Sequence, residues 1–233
     1  MVGRFFVSMM KGIVVTVLNQ GGIERFRQAV GALPLIAVLR GIRPAEAAAL
    51  GKVLYDEGFR LIEVPLNSPE PFESIAQIRK ALPADAVVGA GTVLAPDQVV
   101  SLKACGGDIV FMPHSDLEVV RAAKREGLLC VPGVATPTEA FAALAAGADA
   151  LKLFPAEMIV PKIVKSIGVV LPKGTCLVPF GGITPENMGP YIEAGASAFG
   201  LGSALYKPGM RADELADRAR AFVAAVRRDW KGR

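Results

Sequence analysis

One pattern recurs along most of this chain: a short apolar segment followed by a segment with helical periodicity. The apolar segments begin at Leu35, Arg60, Ala86, Asp108, Leu128, Asp149, Cys176 and Ser197. Successive starts are 20 to 27 residues apart, which is the length of one strand, one helix and two short loops. Eight such units in about 200 residues predict a (β/α)8 TIM barrel rather than an open doubly wound sheet.

The segments between the apolar runs carry helix start and stop signals, with proline or a capping residue at the beginning and glycine after the end. These signals predict helices over 44–57, 96–104, 115–126, 136–146, 185–194 and 212–228. Ser115 is the predicted cap of the third, and an extra N-terminal helix over 23–30 precedes the first strand. No linker interrupts the pattern, so we expect residues 21–233 to form a single domain after an N-terminal extension, residues 1–20, which contains alternative start sites.

The composition excludes several classes of protein. A hydrophobic content of 52% is too high for a disordered chain. The longest stretch without a charged residue, 194–206, falls short of the ~20 residues that cross a membrane, so we expect no membrane partner. The net charge of +4 comes without a nucleic-acid-binding motif, so we expect no nucleic acid partner. Three widely spaced cysteines fit a reducing compartment, here the cytoplasm.

Metal and cofactor motifs are missing from the sequence. GAGTVL at 89–94 and GLGSAL at 200–205 lack the last glycine of a dinucleotide-binding motif. His114 is the only histidine, which excludes a metal site built from histidines and a two-histidine relay. We therefore predict no metal and no cofactor, and we expect His114 at the rim of a cavity or on the surface.

Two charged residues lie within apolar strand segments. Lys152 follows Leu151 in ALKLFP, and strand side chains alternate between faces, so the lysine is predicted to face the barrel interior. The same alternation in LIEVP turns Glu63 inward. A desolvated lysine is a nucleophile toward carbonyl groups, and a nearby carboxylate can transfer protons. The alternative, a buried ion pair with a structural role, fits these residues equally well.

The ends of other predicted strands carry residues suited to anions. Arg40 ends the first strand, and its guanidinium can bind a carboxylate or a phosphate, although many arginines at strand ends only meet solvent. The last two strands end in PFGGITP and GLGS, where glycines let backbone N–H groups approach an anion. Barrels frequently bind phosphate at this place, although such glycines can also serve only tight turns.

Taken together, these segments resemble a known family. LIAVLRGI, LIEVPLNSPEP, VVGAGTVL, CVPGVATPTEA, ALKLFPAE, FGGITPEN and GLGSALY are similar to the 2-keto-3-deoxy-phosphosugar-acid (KDPG/KHG) aldolases. The resemblance covers residues 35–206 and includes every predicted strand. Within the family, LRGI and PLNSP are most similar to the members that act on the 6-phosphogalactonate derivative, because members of the gluconate type carry an arginine near the position of Asn67.

The resemblance implies a class I aldolase that cleaves 2-dehydro-3-deoxy-6-phosphogalactonate to pyruvate and glyceraldehyde 3-phosphate. The gluconate epimer and 4-hydroxy-2-oxoglutarate are alternative substrates, and a non-catalytic phosphosugar-binding barrel or an isomerase is an alternative of another class. Lys152 would form the Schiff base, Glu63 would be the general acid/base, and Arg40 and Thr92 would bind or position the carboxylate of the pyruvyl unit. The resemblance also implies a homotrimer and a phosphate site. The phosphate would be bound by Gly181, Gly182, Gly202 and Ser203.

Overall fold

The structure, a computed structural model, describes residues 20–230. Except for Gln20, the predicted extension lies outside the described residues. In chain order the elements are α1 (Gln20–Ala32), β1 (Leu35–Val38), α2 (Pro44–Asp56), β2 (Leu61–Pro65), α3 (Pro71–Ala81), β3 (Val87–Gly91), α4 (Pro96–Ala104), β4 (Ile109–Phe111), α5 (Leu117–Arg125), β5 (Leu129–Val131), β6 (Gly133–Val134), α6 (Pro137–Ala145), β7 (Leu151–Leu153), α7 (Pro161–Val170), β8 (Leu177–Pro179), α8 (Met188–Glu193), β9 (Phe199–Leu201) and α9 (Ala212–Asp229).

Strands and helices alternate, and the strand pairings within residues 20–230 are parallel, so the predicted α/β class is confirmed. The strands form a six-stranded sheet in the order β5-β4-β3-β2-β1-β9 and a three-stranded sheet in the order β6-β7-β8. A bridge between Phe180 and Gly200 joins the two sheets at one edge. At the other edge the chain passes directly from β5 to β6.

The strand predicted fifth in the sequence is therefore divided into two segments. Proline lacks the N–H group that would continue a strand ladder, and Pro132 separates β5 from β6. The Pro132 carbonyl still accepts a hydrogen bond from the Lys152 backbone N–H at 2.9 Å. The division thus leaves Lys152 hydrogen-bonded to the chain beside it.

Alternate residues of each strand belong to two separate cores. Ile62 and Leu151 pack between the strands and the surrounding helices. Leu61 and Ala150 belong to an inner core enclosed by the strands. Because side chains alternate along a strand, Glu63 and Lys152 share the inner side with the latter pair.

Helix α1 covers the end of the inner core at which the strands begin. Phe26 and Ala29 of this helix are buried in the inner core. The Arg25 guanidinium donates a hydrogen bond of 2.7 Å to the Asp108 carboxylate, immediately before β4. The extra N-terminal helix is therefore confirmed. The opposite end of the inner core stays open.

The starts of α5 and α8 differ from the predicted ones for reasons that the structure shows. Asp116, not Ser115, caps α5, because its carboxylate accepts hydrogen bonds from the N–H groups of both Glu118 and Val119. The predicted Ser115 cap was wrong. Helix α8 begins later than predicted, because the Asn187 side chain binds the Thr184 N–H and stabilises a turn before the helix. No helix in this part of the chain combines the length and the apolar character that crossing a membrane requires.

Candidate active site

A cavity of about 450 Å³ opens where several strands end. Residues at or beyond the carboxyl ends of β1, β7, β8 and β9 line it, as does β2. Its aromatic walls are Phe154 and Phe180. The charged side chains that line it are Arg40, Glu63, Lys152, Glu157 and Lys207.

Lys152, in the middle of β7, is buried with 6% of its surface exposed. Its Nζ atom lies 4.2 Å from the ring centroid of Phe180 and 5.0 Å from that of Phe154. Burial lowers the pKa of this amine, the nearby Glu63 carboxylate opposes that change, and Arg40 adds to it. Burial is the largest of the three effects, so the site favours the neutral amine.

Glu63 on β2 is 1% exposed, and burial raises the pKa of its carboxyl, with Lys152 and Arg40 opposing. Within residues 20–230 no ion pair joins Glu63 to Lys152. The Glu63 Oε2 atom is buried without a hydrogen-bond partner in that part of the chain. Buried polar atoms are normally paired, and an unpaired carboxylate oxygen beside a cavity is typical of a catalytic rather than a structural carboxyl.

Two glycines make room for these groups. A Cβ atom on Gly91, at the end of β3, would overlap the Glu63 carboxylate. A Cβ atom on Gly200, in β9, would overlap the ring of Phe180, which lies beside the Lys152 amine. We did not predict either role from the sequence, although both glycines lie in the segments that failed as dinucleotide-binding motifs.

Arg40 follows β1 and lines the cavity with an exposed side chain. Its Nη1 atom donates a hydrogen bond of 2.5 Å to Oδ1 of Asn67. The neighbouring Gly41 N–H donates to the Ser68 hydroxyl at 2.9 Å. The loop after β2 therefore orients the loop after β1. Asn67, where the sequence departs from the gluconate-type pattern, is a direct partner of Arg40.

The loop after β8 has a backbone conformation that leaves an N–H group free, within the described chain, to act as a hydrogen-bond donor. Gly181 and Gly182 have φ values of 101° and 62°, in the left-handed region that favours glycine. The Asn187 side chain donates to the Gly182 carbonyl at 2.7 Å and accepts from the Thr184 N–H at 3.0 Å. A trans peptide directs its C=O and N–H oppositely, so the N–H of Ile183, which lines the cavity, points away from Asn187.

The loop after β9 has the same arrangement. The Arg218 guanidinium donates weak hydrogen bonds to the carbonyls of Ser203 and Ala204, at 3.4 and 3.5 Å. None of the hydrogen bonds found within residues 20–230 uses the N–H of Ser203 or Ala204 as donor. Both loops thus have their carbonyls turned toward α8 or α9 and have N–H groups available to an anion. No sequence pattern indicates this role for Asn187 or Arg218.

Most of the predicted site residues line this one cavity. They are Arg40, Glu63, Lys152, Gly181, Gly182, Gly202 and Ser203. Thr92 does not line it: it follows Gly91 half-buried, with a φ of 56° that is rare for a residue other than glycine. His114 is exposed and also lies outside the lining. Within the described chain, no group of three or more His, Cys, Asp or Glu residues is placed to hold a metal ion.

Comparison with known proteins decides the family. The family model for KDPG and KHG aldolase matches residues 26–221. The chain belongs to the KDPG and KHG aldolase family. Its members are carbon–carbon lyases, so this chain is an aldolase. The 2-dehydro-3-deoxy-6-phosphogalactonate aldolase of Escherichia coli (strain K12) is 46% identical over 195 residues, which are 84% of this aldolase and 95% of that protein.

Solved structures agree with this assignment. A structure described as native KDPGal is 45% identical, with a TM-score of 0.84, and the match covers 86% of this aldolase and 97% of that chain. The KDPG aldolase of Legionella pneumophila, with pyruvate captured as a covalent carbinolamine intermediate, is 25% identical, with a TM-score of 0.73. That match covers 84% of this aldolase and 96% of that chain.

Proposed function

We propose that this aldolase cleaves 2-dehydro-3-deoxy-6-phosphogalactonate to pyruvate and glyceraldehyde 3-phosphate through a Schiff base on Lys152. One observation carries the proposal. The buried Lys152 amine, whose pKa is lowered, shares a cavity with the buried Glu63 carboxyl, whose pKa is raised and whose Oε2 atom has no partner in the described chain. An amine that is readily neutral can add to a ketone, and a carboxyl with a raised pKa can both accept and donate a proton.

The reaction follows from these two groups. The Lys152 amine adds to the C2 keto carbon to form a carbinolamine, and loss of water gives an iminium ion. Electrons of the C3–C4 bond flow into the iminium while the C4 hydroxyl proton goes to Glu63, which releases glyceraldehyde 3-phosphate. Glu63 returns the proton to C3 of the enamine, and water then hydrolyses the new iminium to free pyruvate and the amine. None of these steps needs a metal ion.

The remaining residues would orient the substrate. Arg40, fixed by Asn67, is suited to the carboxylate of the pyruvyl unit. The role of Thr92 in positioning the same carboxylate is proposed from the family resemblance alone. Thr92 follows Gly91, which lies against the Glu63 carboxylate. The distal phosphate would accept hydrogen bonds from the loops after β8 and β9. These loops contain Gly181, Gly182, Gly202 and Ser203.

We also infer that the two sheets belong to one closed (β/α)8 barrel and that residues 21–233 form a single domain. The continuous passage from β5 to β6 through Pro132 supports closure on one side. The bridge between Phe180 and Gly200 supports it on the other. The thiols of Cys105, Cys130 and Cys176 are free, which supports a reducing, cytoplasmic location.

A homotrimer is our proposal for the assembly. Large apolar side chains are exposed on α6 and on the segment that leads into α7, where Phe141 is 47%, Met158 72% and Val160 45% exposed. We infer that these side chains contribute to a contact between subunits, where apolar surface is commonly buried. Light scattering after size exclusion should report three copies for the wild type, and Met158→Glu should lower that mass. A monomeric wild type would contradict the proposal.

The test of the reaction is reduction with borohydride in the presence of pyruvate, followed by peptide mapping. A stable adduct on the peptide that contains Lys152 is expected, and Lys152→Ala should lose both the adduct and turnover. Lys162→Ala, at an exposed lysine on α7, should keep both. An adduct elsewhere, or none at saturating pyruvate, would exclude this role for Lys152 and would favour a phosphosugar-binding protein without catalysis.

The substrate is tested by comparing rates on the two C4 epimers. We expect a higher kcat/KM for the galactonate derivative than for the gluconate derivative, because Asn67 rather than an arginine is the partner of Arg40. A preference for the gluconate derivative or for 4-hydroxy-2-oxoglutarate would reassign the substrate and leave the Schiff-base chemistry in place.

A further inference from the structure

One cation in the cavity has no role in the reaction described above. Lys207 follows β9 on the loop that also carries Ser203, and its side chain is exposed and lines the cavity. Within residues 20–230, no ion pair or side-chain hydrogen bond engages its ammonium group. The ammonium therefore has all three donors available to a ligand.

The backbone around Lys207 is anchored on both sides. Tyr206 is 2% exposed, and its hydroxyl donates a hydrogen bond of 3.2 Å to Glu46 on α2. Pro208 packs so closely on Gly41 that a Cβ atom there would lie 2.7 Å from the proline ring. Both anchors lie on the chain that follows β1, where Arg40 also lies. The position of Lys207 is thus fixed, while its long side chain remains free to reach a ligand.

The negative charge of Glu157 near the proposed phosphate site indicates a role for Lys207. A Cβ atom on Gly181 or Gly182 would overlap the Glu157 side chain, so this carboxylate lies against the glycines of the β8 loop. A phosphate monoester carries about −1.5 to −2 charges at pH 7, and a carboxylate beside it is repulsive. Backbone N–H groups carry no net charge. A cation in the same cavity would offset Glu157, and Lys207 is the cation that the proposed chemistry leaves unassigned.

We propose that Lys207 binds the distal phosphate of the substrate and makes the enzyme select phosphorylated over unphosphorylated 2-keto-3-deoxy sugar acids. This assignment rests on the proposed function, because the phosphate belongs to the substrate proposed for the same cavity. Lys207 acts on binding, because the phosphate is remote from the C3–C4 bond that breaks. Its loss should therefore raise KM for the phosphorylated substrate and leave kcat nearly unchanged.

The test compares Lys207→Gln and Lys207→Arg with the wild type on 2-dehydro-3-deoxygalactonate with and without its 6-phosphate. We expect Lys207→Gln to raise KM for the phosphorylated acid about tenfold, which corresponds to about 1.4 kcal/mol. KM for the unphosphorylated acid and borohydride trapping of pyruvate should not change. Lys207→Arg should recover most of the loss, and Lys103→Gln, at an exposed lysine on α4, is the matched control.

Equal losses on both substrates would show a structural role and overturn the proposal, as would an unchanged KM in Lys207→Gln. Calorimetry with inorganic phosphate gives a readout that needs no turnover. Binding about tenfold weaker in Lys207→Gln than in the wild type supports the assignment, and equal binding overturns it. A wild type that neither traps pyruvate nor cleaves either acid would refute the proposed function, while the phosphate titration would still decide the role of Lys207.

Discussion

The two ends of the cavity are built in different ways. At the amine end, Lys152 and Glu63 come from the middle of strands and are 6% and 1% exposed. At the end proposed to bind the phosphate, called the phosphate end below, the groups are backbone N–H donors and the exposed side chains of Ser203 and Lys207. Chemistry that needs a neutral amine requires removal of water, because burial is what lowers the pKa of a lysine. Binding a phosphate requires only donors and positive charge.

The difference extends to how each end is supported. Buried atoms pack directly around the amine end, where Gly91 and Gly200 leave just enough room for Glu63 and Phe180. At the phosphate end, hydrogen bonds from Asn187 and Arg218 hold the loops from behind. We therefore expect changes at the amine end to lower kcat steeply, and changes at the phosphate end to raise KM by smaller factors.

Among changes that keep the Lys152 amine, the largest effect is expected for Glu63→Gln, which removes the proton acceptor and keeps the volume. The kcat should fall about a thousandfold, within the usual range for loss of a general acid/base. Lys152 should still trap pyruvate under borohydride, while exchange of the pyruvate methyl protons with solvent, measured by NMR, should slow in parallel with kcat. Glu118→Gln, at an exposed carboxylate, is the control. Exchange at the wild-type rate would remove Glu63 from the mechanism.

Gly91→Ala should be the next most severe change, because its Cβ atom would overlap the Glu63 carboxylate. Displacing a catalytic group by about 1 Å can cost about a hundredfold in rate, and we expect that loss in kcat. Gly202→Ala is the matched change at the phosphate end, where a Cβ atom meets nothing within 4 Å. It should alter only KM for the phosphorylated acid. Comparable kcat losses in both variants would contradict the distinction between the two ends.

Much of the fold follows from local rules. Apolar segments at regular spacing, with proline and glycine at helix ends, identify most elements and the alternation of faces. The division between β5 and β6 was missed, because one proline changes pairing only where its missing N–H falls in the ladder. The cap of α5 was misplaced by one residue, since adjacent Ser115 and Asp116 are both good caps and only the geometry selects the carboxylate.

The site residues likewise fall into those that local sequence predicts and those that depend on distant contacts. Alternation along the strands predicted the inward positions of Lys152 and Glu63, because that rule needs only the local sequence. Asn187 and Lys207 were not predicted, since their importance depends on which distant loops they meet. Thr92, expected from the family resemblance, lies outside the lining of the cavity. Local sequence therefore indicates the buried end better than the exposed end.

Asn187→Ala tests the support of the phosphate end. The change removes the hydrogen bonds to the Gly182 carbonyl and from the Thr184 N–H, each worth about 1 kcal/mol. We expect KM for the phosphorylated acid to rise about fivefold to tenfold, with kcat unchanged. Steady-state kinetics on the unphosphorylated acid provides the internal control, and a loss there of the same size would show that Asn187 supports the whole cavity.

The smallest expected effect is on stability. Burial of the Lys152 amine lowers the free energy of unfolding, and this prediction concerns that destabilisation. A lysine side chain ordinarily has a pKa near 10.5, and burial lowers the pKa of Lys152 in the folded protein. Between the two pKa values the unfolded chain binds a proton that the folded protein does not. The free energy of unfolding therefore rises with pH through this window. Lys152→Met removes this penalty, so it should raise Tm at neutral pH by about 2–4 °C for each ~1 kcal/mol.

The advantage of Lys152→Met should shrink as pH approaches 10.5, where both states of the wild type have lost the proton. Removing one member of a buried ion pair usually destabilises a protein, but Lys152 and Glu63 form no direct pair in the described chain, and burial dominates both pKa shifts. Calorimetric Tm measurements from neutral pH to about 10.5 would follow the difference. Lys162→Met, at an exposed lysine, should show no such trend. A Tm difference between Lys152→Met and the wild type that does not vary with pH would mean that Lys152 is charged in the folded enzyme. The contrast between a buried amine end and an exposed phosphate end would then fail.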